Sequence, residues 1–282
     1  MMALDEVSEA AARGKVGEIY ADIRATLRVP MVNTIYRHLA VMPDALEWAW
    51  SAIRPHMQSG AVARQAEALR RDVERVLDLA RPAEAGGLAV PAGQGHEAMC
   101  LVQAYDAANR LNLIAFTQLL HQADADGPAA DAAPHAGPDT PATGDTPMAP
   151  QDLPAIPALD TLAPDVLARV RRLNQFGEPA APTVVAGLYR HLAVWPPVLA
   201  EVEAWLQPWD RNGALAQARV AAVRSAAGQA ASHPLRMAPP AAAIRARFGP
   251  PLQRYCQTII PKMIPVCLLL HHQLERAGAA GR

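Results

Sequence analysis

Residues 36–46 read YRHLAVMPDAL, and residues 189–199 read YRHLAVWPPVL. Eight of these eleven positions are identical at a constant offset of 153. The same offset aligns Val32 with Val185, Pro55 with Pro208, and Gly60-Ala61 with Gly213-Ala214, without a gap. One structural unit therefore occurs twice. The periodicity identifies the unit as helical. Val32, Ile35, Tyr36 and Leu39 fall at i, i+3, i+4 and i+7, and Val185, Leu188, Tyr189 and Leu192 repeat the spacing, which places each set on one helix face. Pro43 and Pro196 are expected to stop these helices, because proline lacks the amide N–H and disfavours helix in the residue before it. A second helix follows in each copy, over 46–53 and 199–206, with Pro55 and Pro208 as its expected ends. A third is expected over 62–79 and 214–227.

Ile19, Ile23 and Leu27 recur every four residues before the first copy, and Pro164-Asp165 opens a helix before the second. Closing helices are expected over 97–122 and 252–276. The fold class that follows is all-α: two tandem repeats of about five helices, over 1–122 and 161–282, forming an internal pseudo-dimer. Between them, 123–160 is dense in Ala, Pro, Gly and Asp, with no aromatic residue and no apolar period before Leu153. Such a segment buries too little surface to offset its chain entropy, so it is expected to be a flexible, disordered linker. A shorter Gly- and Pro-rich connection lies at 81–95.

The bulk numbers narrow the function classes. The chain has 282 residues, 51% of them hydrophobic, and a formal net charge of −1. That balance gives no reason to expect nucleic acid or a membrane surface as a partner. The apolar stretch 259–270 is too short to span a bilayer and contains Pro261, Lys262 and Pro265. Residues 1–9 carry Asp5, Glu6 and Glu9 and no apolar run, so no secretion signal is expected. Three cysteines, Cys100, Cys256 and Cys267, form no close pair, which fits a reducing compartment and buried structural thiols. The expected location is the cytoplasm.

Few residues carry chemistry. His38 and His191 are equivalent, but neither has a carboxylate at ligand spacing in both copies, so packing and capping explain them better than metal binding. His271 and His272 are adjacent, point about 100° apart on a helix, and are read as favouring the last turn of the final helix. Tyr105, Asp106 and Asn109 interrupt an apolar helix. Asp106 and Asn109, three apart, could orient a water; the alternative is an exposed polar stripe continuing through Arg110 and Asn112. No nucleotide-binding loop and no zinc motif occurs, and neither a metal nor a cofactor is expected.

The run IYADIRATLRVPMVNTIYRHLAVMP at 19–43, together with HLAVWPPVL at 191–199, resembles the group I (DL-) 2-haloacid dehalogenases. The likeness covers both halves of the chain, is best over 19–55 and 163–210, and excludes the linker. It implies an all-helical pseudo-dimer with its active site between the repeats, and no cofactor. It also implies a mechanism in which an aspartate activates a water that displaces halide from the α-carbon with inversion. The family's water-holding asparagine corresponds to Asn109. The two small residues before its aspartate correspond to Ala186 and Gly187, and the aspartate itself to Leu188. Pocket positions after "RVP" correspond to Met31 and Thr34, and those on the closing helix to Tyr255 and Ile260.

Leucine cannot accept a proton, and a positioned general base contributes roughly 10²–10⁴-fold. Periodicity alone makes Leu188 the repeat of Ile35, an apolar-face residue. Asp106, or Glu178 on the loop before that helix, is a candidate replacement base. Two functions compete. One is hydrolytic dehalogenation with a relocated base. The other is a non-catalytic helical module that binds a small organic acid or a partner protein. A third reading is a purely structural, oligomer-forming protein, and a homodimer is compatible with each.

Overall fold

The computed structural model describes residues 5–83, 87–89, 95–124, 153–178 and 184–280. Eleven α-helices occur among them, and no strand. They are α1 (Gly14–Leu27), α2 (Thr34–Leu39), α3 (Pro43–Gln58), α4 (Ala61–Leu79), α5 (Gly95–Asp124), α6 (Pro164–Leu173), α7 (Gly187–Leu192), α8 (Pro196–Arg211), α9 (Ala214–Ser232), α10 (Ala242–Arg254) and α11 (Ile260–Ala280). The bounds of α2, α3 and α7, α8 recur at the sequence offset of 153, and α4 recurs as α9.

The prolines act differently from the expectation. Pro43 and Pro196 open α3 and α8 at the first helical position, where a missing N–H costs no hydrogen bond. Pro55 and Pro208 lie inside those helices, which run on to Gln58 and Arg211. Each sits in the last turn, so one internal bond is lost and the helix survives. Gly60 and Gly213, at φ 70° and 79°, make the turns into α4 and α9 in the left-handed region that glycine enters without strain.

The second half also has an element more than expected. The closing segment is two helices, α10 and α11, joined by a π-turn at Tyr255–Ile259. Pro261 cannot donate to the Gln257 carbonyl, and Arg219 donates to that oxygen instead at 3.3 Å. The helix runs beyond His271 and His272 to Ala280, so these do not lie in its last turn as expected.

α5 packs along α11, and α4 along α9. The α9 face turned inward is alanine at every fourth position, from Ala214 to Ala230, which lets α4 approach with Val62, Leu69, Val73 and Leu77. Buried side chains of both halves form one continuous core. Leu153, Leu159 and Leu162 pack against it, and the carbonyls of Pro154 and Pro157 accept hydrogen bonds from His191 and Arg190. The part of the expected linker from 153 to 160 is therefore fixed to the body; 125–152 lies outside the described residues.

Candidate functional site

A cavity of about 40 Å³ lies where α2 and α7 begin. Asn33, Thr34 and Ile35 line it from one helix, and Ala186, Gly187 and Leu188 from the other. These two triplets are equivalent at offset 153. A Cβ built on Gly187 would lie 3.5 Å from Thr34 Oγ1 and 2.9 Å from the Tyr105 hydroxyl. Only glycine lets these groups close up here.

The floor comes from α5 and from the junction of α10 and α11. Tyr105, Asn109 and Asn112 recur at i, i+4 and i+7 and so share one face of α5. Opposite them stand Tyr255, Ile259, Ile260 and Met263. The polar atoms are incompletely paired within the protein. Tyr36 donates to Asn112 Oδ1 at 2.9 Å, but Asn112 Nδ2, Asn33 Oδ1 and the Tyr255 hydroxyl are buried without a partner. Asn109 Nδ2 reaches only the Cys267 sulfur, at 3.7 Å. Each buried polar atom left unpaired costs on the order of 1–3 kcal/mol. Such a set suits a small polar molecule that accepts and donates. At roughly 10–15 Å³ per water, the space holds about three or four waters or the polar end of a very small acid.

The cavity thus brings together Thr34, Asn109, Ala186, Gly187, Leu188, Tyr255 and Ile260. Met31 and Asp106 are not among its lining. Met31, buried in the core, precedes the first turn of α2 rather than lying on it. Asp106 is 2% exposed and turned toward α11. Arg110 grips its carboxylate with two bonds, at 3.1 and 2.9 Å, and His271 Nδ1 lies 3.2 Å from Oδ2. Burial pushes its pKa up, but the hydrogen bond from His271 and the Arg110 charge outweigh it and hold the carboxyl below the usual range. The expected exposed stripe is also absent: Asp106, Asn109 and Asn112 are all buried.

Glu178 does not reach the cavity either. It faces Lys262 Nζ at 3.6 Å. Lys262 donates to the carbonyl and to Oδ1 of Asn174, and Asn174 in turn holds Ala186 N and the Val184 carbonyl. This network buttresses the start of α7. Burial drives the Lys262 pKa down to about 8, with the Glu178 charge pulling the other way. Among the described residues no Asp or Glu lines the cavity, and no group of three or more His, Cys, Asp or Glu could hold a metal ion.

Asn33 and Ile35 were absent from the sequence-based set, although a signal existed. The repeat pairs them with Ala186 and Leu188, so naming one triplet implied the other. Ile259 and Met263 depend on the π-turn, which no sequence period announces.

Among known proteins, no family profile matches the chain. Over 55 residues it is 40% identical to an (R)-2-haloacid dehalogenase of Pseudomonas putida, a stretch that is 20% of this chain and 18% of that protein. Over 78 residues it is 38% identical to an (R)-2-haloacid dehalogenase of Rhizobium sp. (strain NHG3), covering 27% and 30%. The chain thus matches under a third of the length of these curated relatives. Among solved structures, a D-2-haloacid dehalogenase mutant in complex with D-2-CPA superposes with a TM-score of 0.71 at 18% identity, covering 98% of this chain and 96% of that one. A D-2-haloacid dehalogenase with L-LA superposes with a TM-score of 0.71 at 17% identity, covering 96% and 94%. The structural likeness is one of fold, and the sequence likeness relates parts of the chain to haloacid dehalogenases. Among the described residues no helix is long and apolar enough to cross a membrane.

Proposed function

We propose that the chain is a 2-haloacid dehalogenase-like protein whose cavity, formed between two copies of one helical unit, binds a very small carboxylic acid without hydrolysing it. The observation that carries this reading is the cavity lining: Asn109, Asn112, Tyr105 and Tyr255 surround the space, but Leu188 stands where the resemblance asks for a water-activating aspartate. Leu188 is 0% exposed and its equivalent Ile35 is 2% exposed, so both copies use the position for packing.

The two replacement bases lack support. Asp106 is held by Arg110 and His271, and Glu178 faces Lys262. Water beside Asn109 would be oriented but would keep both protons. Without a base, the displacement loses roughly 10²–10⁴-fold in rate. The amide and phenol donors remain suited to a carboxylate or hydroxyl. The small volume favours two-carbon acids over larger ones.

The test is titration calorimetry of the full chain with glycolate, lactate and butyrate. Binding strongest for glycolate, and lost in Gly187→Val, is expected. Equal binding of all three acids, or binding unchanged by Gly187→Val, contradicts the assignment of this cavity.

A further inference from the structure

Arg37 on α2 and Arg190 on α7 are equivalent residues, and both converge on one carboxylate. Arg37 Nη2 donates to Glu6 Oε1 at 2.7 Å, and Arg190 Nη1 lies 3.7 Å from the same oxygen. No other ion pair involves either arginine among the described residues. Arg190 spends its remaining donors on the neutral Pro157 carbonyl, at 3.2 and 3.4 Å, and Arg37 Nε is buried without a partner. Two cations thus share one anion in a setting where the Arg37 side chain is 7% exposed. The excess positive charge is poorly screened by solvent.

That charge lies beside the cavity. His38, the next residue after Arg37, has its ring centroid 6.2 Å from that of Tyr255. His191, the next after Arg190, stands edge-on 6.1 Å from Tyr105. Burial drives the Tyr105 hydroxyl pKa up, the charges of Arg37 and Arg190 pull it down, and the Glu9 charge, which Arg24 pairs at 2.7 Å, raises it to a smaller extent. Tyr255 is driven up by burial, then raised by Glu6 and lowered by Arg37. Glu6 itself is clamped. Val7 N donates to the Arg37 carbonyl at 3.0 Å, the Tyr20 hydroxyl to the Val7 carbonyl at 2.9 Å, and His38 Nδ1 meets the Asp5 carbonyl at 2.9 Å. Glu9 accepts from Val32 N at 2.9 Å, one residue before Asn33 of the cavity.

We propose that Arg37 and Arg190 make the cavity select anions over neutral molecules of the same shape, and that Glu6 sets the strength of that selection by neutralising half of their charge. The proposal rests on the reading of the cavity as a small-acid site. A unit charge roughly 10 Å away, at an effective dielectric constant of about 20–30, changes anion affinity about tenfold.

The experiment is calorimetry of the full-length chain with glycolate and with glycolamide, its neutral counterpart. Glu6→Gln is expected to tighten glycolate about tenfold and to leave glycolamide within about twofold. Arg190→Gln is expected to weaken glycolate about tenfold with glycolamide again unchanged, and Arg190→Lys to restore most of the loss. Circular dichroism and Tm establish that each variant is folded; if Glu6→Gln is not, the Arg190 pair decides. Parallel changes for both probes, or none for glycolate, overturn the role of the charges while leaving the cavity reading in place. No binding of either probe to the wild type overturns both.

Discussion

Leu188→Asp puts back the carboxylate that the resemblance assigns to this position, and its consequences can be worked out from the surroundings. Leu188 is 0% exposed, so the substitution forfeits about 1.5–3 kcal/mol of apolar burial. It also buries a carboxyl, whose cost the donors of Asn109 and Asn112 offset in part. We expect a net destabilisation of about 3–5 kcal/mol, the range of severe core substitutions. Burial raises the new carboxyl's pKa above its unfolded value of roughly 3.9. A raised acid binds more protons in the folded state, so stability is retained below the unfolded pKa and lost as pH rises through the folded one. The destabilisation should therefore be larger at pH 8 than at pH 5 in urea unfolding. Chloride release from chloroacetate, followed by ion chromatography, should rise over the same interval as the carboxylate ionises, by up to roughly 10²–10⁴-fold over wild type. A variant as stable as wild type at both pH values would refute the placement of Leu188 in the packed cavity wall. A folded variant with no gain in release would refute the idea that this position faces a water beside Asn109.

Three further outcomes follow from the same geometry. Gly187→Ala drives a Cβ to 2.9 Å from the Tyr105 hydroxyl, so a loss of about 1–3 kcal/mol in thermal unfolding and at least about tenfold weaker glycolate binding are expected; unchanged binding would place the ligand elsewhere. Asp106→Asn breaks a buried ion pair and should cost about 3–5 kcal/mol at pH 7. Because the native pKa of Asp106 is lowered, its contribution is full above the unfolded pKa and disappears as pH falls through the folded one. The variant's deficit should therefore shrink in acid, and glycolate binding should not weaken, because the carboxylate removed does not line the cavity; an abolished affinity would return Asp106 to the site. Lys262, lowered from 10.5 to about 8, binds fewer protons folded than unfolded between those values, so wild-type stability should gain up to about 3 kcal/mol from pH 8 to 10.5 through this group. Urea unfolding of Lys262→Met across that range should lack the gain; an identical slope would show that Lys262 is not desolvated.

Much of the fold was legible because the repeat and the helical period point the same way. Tyr36, Tyr189, Leu39 and Leu192 are buried as their spacing requires. The prolines were harder, since a proline marks a helix boundary without saying which side of it the helix lies on. The π-turn was not legible, because the Gln257 carbonyl that Pro261 cannot serve is taken by Arg219, 38 positions away in sequence, and α10 was not, because it carries Pro250 and Pro251, which read as helix breakers, inside it. In the site, the equivalence of Ile35 and Leu188 was readable, and both side chains are buried in the cavity wall. Asp106 lies off the cavity for a rotational reason. On α5 it sits about 100° round from Tyr105, whereas Asn109 and Asn112 fall within about 40° of that direction. A three-residue spacing says that Asp106 and Asn109 are near each other, not that they face the same neighbour. What faces Asp106 is His271, which is 165 positions away in sequence.

The most direct measurement is halide release by the wild-type chain, by ion chromatography, from chloroacetate and from both enantiomers of 2-chloropropionate, with glycolate binding measured on the same preparation. Bound glycolate, and halide release no faster than in buffer for all three compounds, are expected. Halide release above buffer from any of them, abolished by Asn109→Ala, would contradict this expectation and show that water is activated in this cavity without a carboxylate at position 188.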